Sequence, residues 1–172
     1  MKTINSLFLY ISLLISLFSR NVSTFCGNDD QIDNLRTSLI IHETSFSIMA
    51  GLSAIPFTAA IISPGHAMAS TNFAVQLKEG FEEMKDSMNK DHADYKKCFE
   101  IVDKTATATT VIKTTSVGLS IAAMIPGVGL ALVPPRVAAS ISAMIIIRDG
   151  LTHWQENDCQ YATTRDCNLL TL

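Results

Sequence analysis

The sequence predicts an all-α fold: a small disulfide-bonded bundle of four to five helices that includes an apolar helical hairpin. Three observations predict it. Apolar residues recur at three- and four-residue spacings along most of the chain, the period of a helix buried on one face. Three segments carry no Asp, Glu, Lys or Arg: 34 residues at 44–77, 22 at 114–135 and 11 at 137–147. All four cysteines, Cys26, Cys98, Cys159 and Cys167, lie beyond a stretch that reads as an export signal.

The signal is read at residues 1–24. Lys2 supplies the positive start, residues 7–18 form an uncharged and mostly apolar core, and Val22 and Thr24 suit the −3 and −1 positions of a cleavage site. As a helix the core spans ~18 Å, short of the ~30 Å hydrocarbon layer. A cleaved signal therefore fits better than an anchor, for which only Arg20, close behind the core, argues. Cleavage would remove Lys2, Arg20 and the one sequon, Asn21-Val22-Ser23. The mature chain would keep 11 basic and 16 acidic residues, a formal charge of −5. A mildly acidic chain has no general attraction for phosphate backbones, which excludes nucleic acid as an expected partner. Residues 25–172 are enough for one helical domain with its own core, ending in a polar cysteine-containing tail at 155–172.

An even cysteine count in an exported chain predicts two disulfides, with three pairings open. Pairing Cys26 with Cys98 and Cys159 with Cys167 is favoured because it would fasten the N-terminus and close a loop in the tail, although spacing alone does not choose. No Cys-x-x-Cys pair is present, which argues against a tetrathiolate metal site or a redox dithiol.

The elements follow in order. Ile32, Leu35, Leu39, Phe46 and Met49 mark a first helix, with Asn28, Asp29 and Asp30 at its start. Gly51 and Pro56 should bend or break it, and Ser63-Pro64-Gly65-His66 is its expected stop. A long amphipathic helix is expected over 70–104, its seam formed by Phe73, Leu77, Phe81, Met84, Met88, Tyr95, Phe99 and Val102. A Thr-rich entry at 105–115 leads into an apolar segment ending at Ile125. Pro126-Gly127-Val128-Gly129 is a turn. Pro134 and Pro135 open a last helix over about 136–154. Small residues, among them Gly118, Ser120, Ala139 and Ala143, would let the two apolar arms approach closely.

No residue pattern carries catalysis. His42, His66, His92 and His153 form no His-Glu-x-x-His pair, and no nucleophile elbow or phosphate loop occurs. His42-Glu43 is a poor proton-transfer pair, since neighbours on a helix point apart, and is expected to be solvated. The expectation is a protein without enzymatic activity, cofactor or metal. The function the sequence favours is a secreted, extracellular, membrane-active protein. It would be soluble when released and would offer the hairpin around 114–147 to a lipid membrane through Val117, Ile121, Ile125, Val128, Leu130, Ile141 and Ile145. The pattern resembles the buried hydrophobic hairpins of helical pore-forming toxins. A homo-oligomer or a protein receptor are the other partners considered. A soluble binding module for an apolar ligand or receptor, or a membrane-resident protein, are the alternative readings.

Overall fold

The computed structural model describes residues 29–52, 59–125 and 127–163. The expected export signal and sequon, Cys26, Cys167, Pro56 and the end of the tail lie outside the described residues. Four helices make up the bundle: α1 (Asp29–Leu52), α2 (Ala59–Ser87), α3 (Tyr95–Ala122) and α4 (Val133–Glu156). Two 3-10 turns, Leu130–Leu132 and Cys159–Ala162, precede and follow α4. No strand occurs among the described residues, so the all-α prediction holds.

Cross-helix contacts set the helices in an up-down-up-down register. Lys85 reaches Asp103 and His66 reaches Ser120, which makes α2 and α3 antiparallel. Arg36 on α1 bonds Thr152 on α4, and Thr105 on α3 lies against Gly150 on α4. Glu43 on α1 meets Lys113 on α3 through the interior. The end at which α1 stops at Leu52, α2 starts at Ala59 and α3 stops at Ala122 is the upper end. The opposite end, with the disulfide, is the lower end.

Two expected boundaries move. Ser63-Pro64-Gly65-His66 is not a loop; Pro64 lies inside α2. Ser63 and His66 are fully buried and Ile62 and Ala67 nearly so. Burial of that face offsets the roughly 3 kcal/mol that an internal proline costs. α1 instead ends at Leu52, next to Gly51. The long helix expected over 70–104 is two helices separated by a turn at 88–94. There Asn89 Oδ1 accepts from the Asp91 amide at 3.0 Å, and the Asn89 amide donates to the Ala162 carbonyl at 2.7 Å. Met88 and Tyr95 are seven residues apart, which is two helical turns, but it is also the length of a reversal that returns both side chains to the core. Periodicity cannot separate the two. The Thr-rich entry is helical throughout, inside α3. Gly127 holds φ +84° in the upper turn, a conformation that suits glycine. Pro135 lies in the first turn of α4 as predicted, and the helix starts three residues earlier than expected, at Val133, so that Pro134 lies in that turn too.

The disulfide differs from the favoured pairing. Cys98 bonds Cys159, 61 residues away, with Cα atoms 5.5 Å apart. It ties the start of α3 to the 3-10 turn after α4, and both cysteines are fully buried. Around it the lower core packs Ile32, Phe81, Met84, Met88, Val102, Leu151 and Trp154. Close helix approach falls at Gly150, where a Cβ would lie 2.2 Å from Thr105 Oγ1. Gly118, expected to serve that purpose, has open space beside it.

Candidate functional site

The bundle changes polarity along its axis. In the lower half the interior is apolar and the exterior charged, the ordinary pattern of a water-facing bundle. Lys85 there donates to Glu82 and Asp103, at 2.8 and 3.3 Å, and so clamps α2 to α3. Its hydrogen bond to Glu82 contributes most to raising the ammonium above the usual lysine range. In the upper half the interior is mixed, with Leu39, Phe46, Phe73, Leu77 and Ile147 buried beside polar and charged groups, and the exterior loses its charge.

The upper interior is polar on every helix. Glu43 of α1, His66 of α2, Lys113 of α3 and Arg136 of α4 are each at most 2% exposed. Ser63, Ser70, Thr109, Ser116, Ser120 and Ser140 are buried with them. Lys113 Nζ forms an ion pair with Glu43 and lies 4.9 Å from the ring centroids of both Phe46 and Phe73. The Ser120 hydroxyl donates to the Ser116 carbonyl at 2.8 Å, so the 2.7 Å contact between His66 Nδ1 and Ser120 Oγ needs the proton on the ring nitrogen. Phe46 stands edge-on to His66, and His42 stacks on Phe73 at 4.4 Å. The expectation of a solvated His42-Glu43 pair is therefore overturned: the two residues do point apart, but Glu43 points into the core.

The upper exterior is free of charge, and large apolar side chains stand on it among threonines, serines and Asn72. Fourteen large hydrophobic side chains are exposed among the described residues, and all but Tyr161 lie in this half. They come from all four helices: Ile40, Ile41, Ile48 and Leu52 on α1, Met68 and Val75 on α2, Val111 and Ile121 on α3, and Ile141 and Ile145 on α4. Met124, Ile125 and Leu130 cover the upper turn. Four exterior hydroxyls are satisfied within their own helix. Ser45 donates to the Ile41 carbonyl, Thr71 to Ala67, Thr110 to Ala106 and Thr115 to Val111, each at 2.8–2.9 Å. Such back-bonding lets a hydroxyl face lipid without water.

Descending each helix from the top, the first outward charge is a cation: Arg36 on α1, Lys78 on α2, Lys104 on α3 and Arg148 on α4. The cross-helix contacts place these four within about one and a half helical turns of one another along the bundle axis. Lys104 pairs with Glu100 at 2.6 Å, a hydrogen bond that holds that carboxylate below its usual range. Above the four cations the helices run 15 to 19 residues, at 37–52, 59–77, 105–122 and 133–147. At ~1.5 Å per residue that is about 22–28 Å, close to the ~30 Å of a bilayer hydrocarbon core.

Each sequence-predicted contact residue lies in this upper half. Ile121, Ile125, Leu130, Ile141 and Ile145 are exposed, while Val117 and Val128 are half-buried. Sequence reasoning missed the contribution of α1 and α2 to the same surface, although the charge-free run at 44–77 signalled it. It also counted Lys113 and Arg136 as ends of the apolar arms, whereas both turn inward. No group of three or more His, Cys, Asp or Glu side chains is placed to hold a metal among the described residues. No protein family, curated protein or solved structure matches the chain.

Proposed function

We propose that the chain is a secreted, non-enzymatic, membrane-active protein of the pore-forming or toxin-like kind, and that its upper half-bundle is the part that enters lipid. The observation that carries this reading is the placement of charge in the upper half, with Glu43, Lys113 and Arg136 inside and thirteen large apolar side chains outside. In water such an exterior is costly, because contiguous apolar patches beyond a few hundred Å² mark a partner or a membrane. In lipid the arrangement is the expected one, where ionisable residues face the bundle interior and pair there. One helix, from Leu130 to Glu156, is by itself long and apolar enough to cross a membrane.

The polarity also refines how insertion would occur. If the hairpin of α3 and α4 entered alone, Lys113 would leave Glu43 and His66 would leave Ser120, exposing charged and polar groups to hydrocarbon. Entry of the upper half as an intact bundle keeps every one of these contacts. The test is dye leakage and flotation with liposomes, using processed protein prepared without detergent. Membrane-bound protein and released dye are expected; a soluble chain that neither floats nor releases dye would sink the reading in favour of a soluble binding module.

A further inference from the structure

A groove of about 250 Å³ opens between α1 and α4 at the level of the four cations. Leu39, Ile40, Met144 and Ile145 form its apolar wall, and Arg36 and Arg148 stand at its lower edge. The geometry points to a binding site for one anionic phospholipid, its phosphate between the two guanidiniums and an acyl chain rising along the apolar wall. The inference rests on the membrane reading above and names the lipid class and the depth at which the protein sits.

Four observations favour that occupant. The polarity of the groove runs in the sense of a lipid, charge at the cationic level and hydrocarbon above it. Arginine offers paired donors that match phosphate oxygens. Arg36 is already oriented, with Nη2 on Thr152 Oγ1 at 3.0 Å and Nη1 on Asp33 at 3.2 Å, while its buried Nε has no hydrogen-bond partner among the described residues. Thr152 in turn donates to the Arg148 carbonyl, so one short network links the two arginines. Arg148 is two-thirds exposed, and among the described residues its guanidinium hydrogen-bonds the neighbouring Asp149, at 3.3 Å, a surface contact that a phosphate can replace. Lys78 and Lys104 continue the cationic level on the other two helices, in a chain that is acidic overall. Asp33, Glu79, Glu100 and Asp149 lie beside or just below these cations, so the cations form the rim nearest the apolar surface, where headgroup phosphates would sit.

The experiment is flotation of the processed chain with vesicles of phosphatidylcholine alone and with phosphatidylglycerol added, at low and high salt. Wild type should prefer the anionic vesicles, and salt should reduce the preference. Arg148→Gln should weaken anionic binding roughly 5-fold, and Arg36→Gln/Arg148→Gln roughly 30-fold, with binding to neutral vesicles unchanged. Lys96→Gln/Lys97→Gln removes the same charge well below the groove, beyond a Debye length of ~10 Å, and should change little. Circular dichroism checks that each variant folds; Arg148→Gln alone leaves the Arg36–Thr152 bond in place and stays informative if the double variant does not. Equal binding to both vesicles, or equal loss from the arginine and lysine pairs, overturns the site while leaving the membrane reading intact. Wild type that binds neither vesicle and sediments as a stable dimer places a second copy on the apolar exterior and overturns both.

Discussion

Lys113 has no route to water in this bundle, and its charge is tolerated only because Glu43 and two aromatic faces surround it. A buried ion pair is a weak stabiliser against an apolar replacement, but half of one is a liability. Lys113→Met should therefore destabilise the protein by about 3–5 kcal/mol in urea unfolding, and Glu43→Leu/Lys113→Met should recover most of that loss. Equal stability of the single and double variants would mean that the pair is not coupled. Gly150 makes the opposite kind of demand, for space. Its α-hydrogen faces Thr105, whose hydroxyl is already committed to the Ile101 carbonyl at 2.8 Å. Gly150→Ala should cost about 1–3 kcal/mol by overpacking, and Thr105→Ala in the same chain should relieve much of it. Neither demand was legible in the sequence. Lys113 reads as an interruption of an apolar arm, and nothing short of the three-dimensional register shows that it faces Glu43, 70 residues away. Gly118, more central to the small-residue stretch, looks the better candidate for a close approach, and faces open space.

At the scale of the elements, types were legible and boundaries less so. Helical spacing identified α1, the seam of α2 and the start of α3, and the prolines identified the start of α4. The breaks failed for two physical reasons. Pro64 is a helix breaker only where tertiary packing does not outweigh its cost, and here Ile62, Ser63, His66 and Ala67 are buried around it. The turn at 88–94 keeps the apolar period by its length, so no gap appears in the pattern. Cysteine pairing was not legible either, since spacing leaves all three connectivities open. The Cys98–Cys159 bond closes a long loop, and the chain-entropy account assigns such a bond roughly 4 kcal/mol. Cys98→Ser/Cys159→Ser should lower the unfolding free energy by about that amount while circular dichroism stays helical. Because these two cysteines are taken, an exported chain leaves Cys26 and Cys167 to each other. Peptide mapping of unreduced protein should find a Cys26–Cys167 cross-link; free thiols at both positions would speak against an oxidising destination.

Across the whole molecule, the exterior loses its charge within about one and a half helical turns, and the position of that change discriminates two modes of membrane entry. The sequence pointed to a hairpin whose arms, 114–125 and 137–147, are each 11–12 residues and so too short alone to cross a bilayer. With Lys113 and Arg136 turned inward, the charge-free exterior lengthens to 15–19 residues on each helix and includes α1 and α2. A panel of outward aspartates separates the modes. Ile48→Asp on α1, Met68→Asp on α2, Ile145→Asp on α4 and Val128→Asp at the turn all alter residues that are exposed or half-buried, so folding in water should change by no more than about 0.5 kcal/mol. In lipid an aspartate deep on a helix costs ~2.5–3.5 kcal/mol on insertion scales, on the order of 100-fold in partitioning. If the upper half enters intact, Ile48→Asp and Met68→Asp should suppress liposome leakage as strongly as Ile145→Asp. If only the hairpin enters, the first two should leak like wild type and Ile145→Asp should not. Val128→Asp should impair leakage under either mode, because the turn between α3 and α4 leads both, and unchanged leakage from that variant would show that the upper end is not what meets the membrane.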